Sequence, residues 1–187
     1  IKELLKVFPD VGWSAIRSDV NNNSEDIGLI FRSSPYGSIS HSHANNNDLI
    51  LHVGGKAITT PAGYYDGYGS QHHMHYNWHT KSHNCITLSG ATQIVQSYES
   101  IGFIINQFED ENMTYFCGLA DKSYSDRAKK YRRHVCYLKK NKYFVLVDEF
   151  ISQDNNSSAL EFNLHSWSPF QINEEDKSFI LERQGSG

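Results

Sequence analysis

Apolar residues recur along this chain with a period of two almost everywhere. "WSAIRSD", "IGLIFRSS", "DLILHVGG", "NCITLSG", "TQIVQSY", "IGFIINQFE", "MTYFCGLA", "HVCYLKK", "KYFVLVDEF", "ALEFNLHSW" and "SFILERQ" are each short, rich in β-branched and aromatic residues, and bounded by polar turns. Such alternation places the apolar side chains on one face of an extended strand. Around eleven strands predict an all-β domain, a sandwich of two packed antiparallel sheets or a closed barrel. "VCYLKKNKYFVLVDEF" predicts a hairpin that turns at Lys140, Asn141 and Lys142. Only "IKELLKVF" and "SDRAKKYRRH" read as helical, and no repeat or low-complexity linker interrupts the chain.

One segment breaks the alternation. From Pro61 to His83, "PAGYYDGYGSQHHMHYNWHTKSH" accumulates Gly, Tyr and His instead, including His72, His73, His75, His79 and His83. A loop of this length inside a compact domain is uncommon unless it carries function. His72, His73 and His75 taken singly read as surface decoration. Just before the loop, "SISHSHANNNDLILHVGG" sets His41 and His43 one residue apart, followed by three asparagines. If the strand already runs there, both imidazoles share a face, and His83 at the edge of "NCITLSG" can converge on them as metal sites in β-sandwiches require.

Size and charge narrow the classes. At 187 residues the chain is one domain with a single core, and 39% hydrophobic content with 11 Tyr and 10 Phe is globular. A formal charge of −4 offers no face-wide Lys/Arg excess for nucleic acid. The basic run "KKYRR", residues 129 to 133, reads as a solvated face. Cys85, Cys117 and Cys136 lack CxxC spacing, and an odd count cannot pair fully within the chain. No stretch is long and apolar enough for a membrane helix, and no signal peptide opens the sequence. The chain begins abruptly, as a piece of a longer protein would.

Three segments then carry a resemblance. "FPDVGWSAIRSD", "SSPYGSISHSHANNNDLILHVGGKAITTPAGYYDGYGS" and "HTKSHNCITLSG" are similar, in order, to the C-terminal β-sandwich domain of the heparinase II/III-like polysaccharide lyases. That family shows an opening strand running from Phe through Gly to Arg. It follows with H-x-H-A-D-x-N, a D-x-G-Y turn and an H-N-x-I strand. The ordered likeness spans roughly residues 8 to 90.

The resemblance implies an N-terminal α/α toroid preceding this sandwich, with the active cleft between them and an acidic polysaccharide as substrate. It also implies β-elimination at a uronic acid: the carboxylate is neutralised, a base takes the C5 proton and an acid protonates the leaving C4 oxygen. By motif position His41 is the sandwich histidine that meets the substrate carboxylate or the transferred proton. Asn47 falls at the family asparagine, as a donor to the bound acid or as a turn cap. The family's structural zinc maps to His43, Pro61 and His83. Proline supplies no ligand, which leaves Asp66 or a water as the substitute, and Asn45 has lost the charge of the family aspartate. A polymer substrate implies secretion or export to a bacterial periplasm. The tyrosine acid and its partner histidine are expected upstream, so the isolated chain is expected to be inactive.

Two further readings stay open. A cupin-like metal enzyme would use the H-x-H with Asp48 as its acid and Asp66 in place of a later histidine. A non-catalytic sugar-binding sandwich would stack Tyr64, Tyr65, Tyr68, Tyr76 and Trp78 on sugar faces. Arg17, ending the opening strand, is either a carboxylate-binding fork in the cleft or a solvated edge residue. His165 echoes a late H-S element of the family.

Overall fold

The computed structural model describes residues 4–63, 65–153 and 159–182. Two antiparallel sheets pack face to face, as the alternation predicts. The first has five strands in chain order: β1 (Leu5–Phe8), β2 (Trp13–Arg17), β3 (Ile27–Arg32), β4 (Asp48–Val53) and β5 (Lys56–Ala57). The second runs β10 (Tyr143–Ser152), β9 (Ala128–Leu138), β8 (Met113–Leu119), β7 (Phe103–Glu109). Between them, Leu5, Ile16, Leu29, Phe31 and Leu49 of the first sheet meet Phe116, Val135 and Tyr137 of the second. In β2, most of β9 and the first half of β10 every second residue faces inward, so an alternating pattern contributes to both walls. Phe31 reaches Phe116 edge to face at 4.9 Å because β8 carries Gly118 there. A Cβ on Gly118 would fall 2.3 Å from the Phe31 ring and from Asn47 Oδ1.

A smaller core flanks the sandwich, where β6 (Ile86–Leu88) pairs with β11 (Leu160–Phe162). There Ile86 and Leu88 pack on Tyr124 and Tyr131. A last hairpin joins β12 (Gln171–Asn173) to β13 (Ser178–Ile180). No helix among the described residues is long and apolar enough to cross a membrane.

Several local expectations are corrected. "IKELLKVF" forms β1 over its described part, pairing Leu5 with Ile16. "SDRAKKYRRH" enters β9, after a wound turn over Asp121–Arg127. Its Lys and Arg residues favour helix locally, yet the segment lies between β8 and β10, whose backbone groups satisfy it as a strand. "TQIVQSY" forms no strand; Gln93 is buried and exchanges hydrogen bonds with the Asn46 backbone, N–H and carbonyl, at 2.9 and 2.8 Å. The hairpin at Lys140–Lys142 forms, with Tyr143 opposite Leu138.

The basic run is not uniformly solvated. Lys129, Lys130 and Arg132 face outward, but Arg133 is fully buried. Its guanidinium grips both oxygens of Asp148 at 2.8 and 3.0 Å. Its Nη1 donates to the carbonyls of Asn47 and Asn84 at 2.7 and 2.8 Å, and Phe162 covers it at 5.0 Å. Burial by itself would weaken the charge, but the surrounding electronegative groups, Asp148 among them, hold the guanidinium pKa above its ordinary value.

A second buried-edge clamp joins the sheets at the chain's start. The Glu109 carboxylate at the end of β7 accepts the backbone N–H groups of Leu4 and Leu5 and pairs with Lys139 at 2.8 Å. Burial would raise the carboxyl, but these donors outweigh it and hold its pKa below the usual value. A depressed carboxylate contributes stability above its unfolded pKa, and loses it as pH falls through the folded one. Glu109→Gln is therefore expected to cost about 1–3 kcal/mol at neutral pH, with a shallower loss of stability below pH 4.5 than wild type in urea titrations. Arg133→Met, which strands Asp148 and two backbone carbonyls, is expected to cost about 3–5 kcal/mol in the same assay.

Candidate functional site

The chain between β3 and β4 does not extend through the histidines. Ser40 and Asn47 both adopt positive φ, 56° and 64°, which breaks any extended run, and β4 starts only at Asp48. The expectation that His41 and His43 share a strand face is overturned for that reason. They sit in an irregular segment and point to different surroundings. His41 is exposed, its ring 4.6 Å from that of Tyr68. His43 turns inward, its Nδ1 2.9 Å from His83 Nε2.

His83 is held from behind. Its Nδ1 lies 3.0 Å from Asp48 Oδ2, which fixes a proton on Nδ1 and leaves the Nε2 lone pair aimed at His43. Asp48 is nearly enclosed, and its other oxygen accepts the N–H groups of Leu49 and Asn84 at 2.8 and 3.0 Å. Burial pushes this carboxyl up, yet the hydrogen bond to His83, the closeness of that ring, Asn45 and the Asn84 N–H together bring it below its ordinary value. Burial, then the proximity of His83, His73 and Arg32, lowers His43 to a pKa of about 4, against the pull of Asp48. His43 is accordingly neutral at physiological pH.

The three asparagines are the frame of this arrangement. Asn45 donates to Asp48 at 2.9 Å and accepts from Arg32 at 2.6 Å. Asn46, buried, accepts the Ser34 N–H and donates to Ser100 O and Ser123 Oγ. Asn47, fully buried, donates to Gly118 O at 3.3 Å. Its proposed contact with substrate is corrected: the side chain is packed against β8 and has no surface open to solvent.

The long loop closes over the pair. A helical turn, His73–Asn77, buries His73, and a second wound turn, Thr80–Ser82, leads into His83. Ring contacts run from Tyr68 to His73 at 4.8 Å and from His73 to Trp78 at 4.6 Å. His73 is therefore a core residue of the loop rather than surface decoration. Tyr65 is 86% exposed and rests on His72 at 5.3 Å; Tyr64 lies outside the described residues. His165 braces the loop, Nε2 on the Lys81 carbonyl at 2.9 Å.

Arg17 is also corrected. It sits opposite Gly28, which pairs with His52, at the other end of the strands from Asp48. Four residues of strand are about 13 Å, and the side chain is engaged by Asp26 and Asn23. The arginine at the histidine end is Arg32, which a charge-by-charge reading of the sequence misses. Its signal was register: Trp13, Arg32 and Asp48 are successive cross-strand partners.

For a metal, the donors are His43 and His83, whose facing nitrogens converge as two ligands of one ion would, with Asp48 as the orienting carboxylate. Asp66 is exposed and accepts its own loop's Gly67 N–H at 2.7 Å. Among the described residues no three His, Cys, Asp or Glu side chains gather in a metal-holding group. Among the described residues, His43 and His83 would be two of the four ligands that a structural zinc takes. Asp48, the acid of the cupin-like reading, stands behind His83.

The comparisons with known proteins agree with this architecture. No curated protein matches the chain in sequence. A solved heparinase III with methylated lysines superposes with a TM-score of 0.76 at 18% identity, over 96% of this chain and 26% of that one. A mutant of heparan sulfate lyase HepC from Pedobacter heparinus superposes at 0.67 and 19% identity, over 81% of this chain and 23% of that one. At such identities the likeness is one of fold, and this chain spans about a quarter of either protein. The sequence itself matches the family described as Heparinase II/III-like, C-terminal, over residues 1–187, and the chain belongs to that family.

Proposed function

We propose that this domain is the sandwich part of a polysaccharide lyase that cleaves uronic-acid-containing polymer by β-elimination, working against an N-terminal α/α toroid. The observation that carries this reading is the division between the two histidines. His41 stands exposed beside Tyr68, while His43, two residues on, is drawn into the buried pair with His83. An exposed imidazole at a rim can neutralise a uronate carboxylate or carry a proton, because small environmental shifts move its charge across neutral pH. The C5 proton becomes acidic once the carboxylate charge is countered, and the departing C4 oxygen then requires a proton from the toroid side. Tyr65, almost wholly exposed on the same loop, is a surface on which a sugar face can rest. A polymer of this kind is met outside the cytoplasm, in the periplasm or beyond the cell.

His43 and His83 are the metal pair of this proposal, with solvent or a residue outside the described set completing a zinc site. A bound zinc would brace the loop to the irregular segment that precedes β4 and would not take part in elimination.

In the full-length enzyme, His41→Ala is expected to lower kcat by roughly 100-fold or more with little change in Tm, followed by the absorbance of the unsaturated uronate product. His43→Ala is expected to lower Tm, with activity falling in consequence. Equal, small losses from both would leave the two imidazoles as ordinary hydrogen-bonding groups. The 187-residue chain alone is expected to leave heparan sulfate, hyaluronan, chondroitin and alginate uncleaved; turnover there would mean that the catalytic set is complete without a toroid.

Elemental analysis of protein purified without chelator tests the metal directly. About one equivalent of zinc, lost in His83→Ala together with several degrees of Tm, is the expected result, since a ligand bound only by the folded state adds to stability. Metal-free protein with an unaltered melting curve after chelation would reduce the site to a His–His–Asp hydrogen-bonded chain.

A further inference from the structure

Behind the histidine pair, the outer face of the five-stranded sheet holds a pocket of about 200 Å³. Trp13, Ile30, Arg32, Asn45, Ile50 and Pro61 are among its walls. This is below the roughly 300–1,000 Å³ of pockets for drug-sized ligands, and suits one sugar ring. Its walls are mainly apolar, and its polar end is formed by Arg32, Asn45 and Asp48, the carboxylate being engaged by His83, Asn45 and two backbone N–H groups.

Arg32 is unusual in how it is satisfied. Burial, chiefly, lowers its pKa, with Asp48 acting in the opposite sense, and a guanidinium stays charged in such surroundings. Its Nη1 donates to the side-chain oxygens of Asn45 and Asn46, at 2.6 and 3.4 Å. Both oxygens of Asp48 are already taken, by His83 and Asn45 on one and by the Leu49 and Asn84 N–H groups on the other. Among the described residues neither Nε nor Nη2 of Arg32 makes a hydrogen bond, and no carboxylate forms a salt bridge with it. A mostly buried cation therefore keeps one edge of its donor fork open, the edge that binds an oxyanion in bidentate fashion. Beside it Trp13, cross-strand partner of Arg32 and 46% exposed, supplies an aromatic face.

We propose that this pocket is a subsite for one acidic sugar unit, its ring lying on Trp13 and its carboxylate or sulfate on the open edge of Arg32. The assignment rests on the polysaccharide reading above, and adds residues that neither the H-x-H motif nor the zinc positions include. Arg32 and Trp13 bind rather than react, so they act on affinity. A group that holds ground state and transition state alike changes KM and leaves kcat.

The test uses the full-length protein, with glucuronic acid, glucosamine 6-sulfate, glucose and inorganic sulfate as separate probes in ligand-observed NMR and calorimetry. Either acidic sugar should bind, glucose should not, and the stronger of the two acids identifies the anion. Trp13→Ala and Arg32→Gln should each weaken that binding at least tenfold, and raise KM for polymer with kcat unchanged. If Arg32→Gln fails to fold, Trp13→Ala decides alone. Unchanged affinity in Trp13→Ala, or glucose binding as well as the acids, overturns the subsite. Acid binding that depends on Trp13 in a protein without lyase activity would keep the subsite and sink the proposed reaction. A working, His41-dependent lyase whose KM ignores Trp13 would do the reverse.

Discussion

The buried guanidinium of Arg133 is the point on which the site depends. It comes from β9 of the four-stranded sheet, and it donates to the carbonyls of Asn47 and Asn84. Those residues lie directly beside Asp48 and His83, the two members of the site that must meet. A side chain from one sheet thus ties together two loops that enter strands elsewhere. Burying such a charge is costly unless it is paired and its donors are used, and here Asp148 and the two carbonyls meet both conditions. The result is a junction in which the backbone beside both residues is anchored, and His83 and Asp48 stand 3.0 Å apart.

From that junction the charges are arranged in layers. Asp48 is enclosed and fully hydrogen-bonded, His83 leans on it, His43 leans on His83 and stays neutral, and His41 reaches solvent. Asp48 and His83 are both buried, His43 is half-buried and His41 is exposed. Arg32 lies on the other side of Asp48, close enough to lower His43 and to be steadied by the carboxylate. One buried acid therefore organises two neighbouring features, the imidazole pair and the arginine pocket. The Asn45 amide links them, giving one hydrogen bond to Asp48 and taking one from Arg32. Asp48 meets His83 from behind the ring, at the nitrogen that faces away from His43.

Sequence by itself determined the wall structure. Period-two alternation marks β2, β3, β4, β6, β7, β8, the second half of β9 and β10, and the turn at Lys140–Lys142 sets the β9–β10 hairpin, because these depend on residues near in the chain. The ordered segments around His41, Asp66 and His83 were enough to indicate the family, and the unusual Gly, Tyr and His content marked the loop that covers the site.

Only the tertiary structure decided what individual polar residues do. Lys129, Lys130, Arg132 and Arg133 look alike as a run of charge, yet of these four Arg133 alone is buried, on the inward phase of β9, and meets Asp148 there. Three successive asparagines look interchangeable, yet positive φ at Asn47 turns its side chain into the core while Asn45 faces the ionic groups. Arg17 and Arg32 are both strand-end arginines, and antiparallel register places them at opposite ends of the sheet. These outcomes rest on contacts between segments up to 86 residues apart. A local pattern carries the face a residue occupies along a strand, but not the partner that folding brings against it.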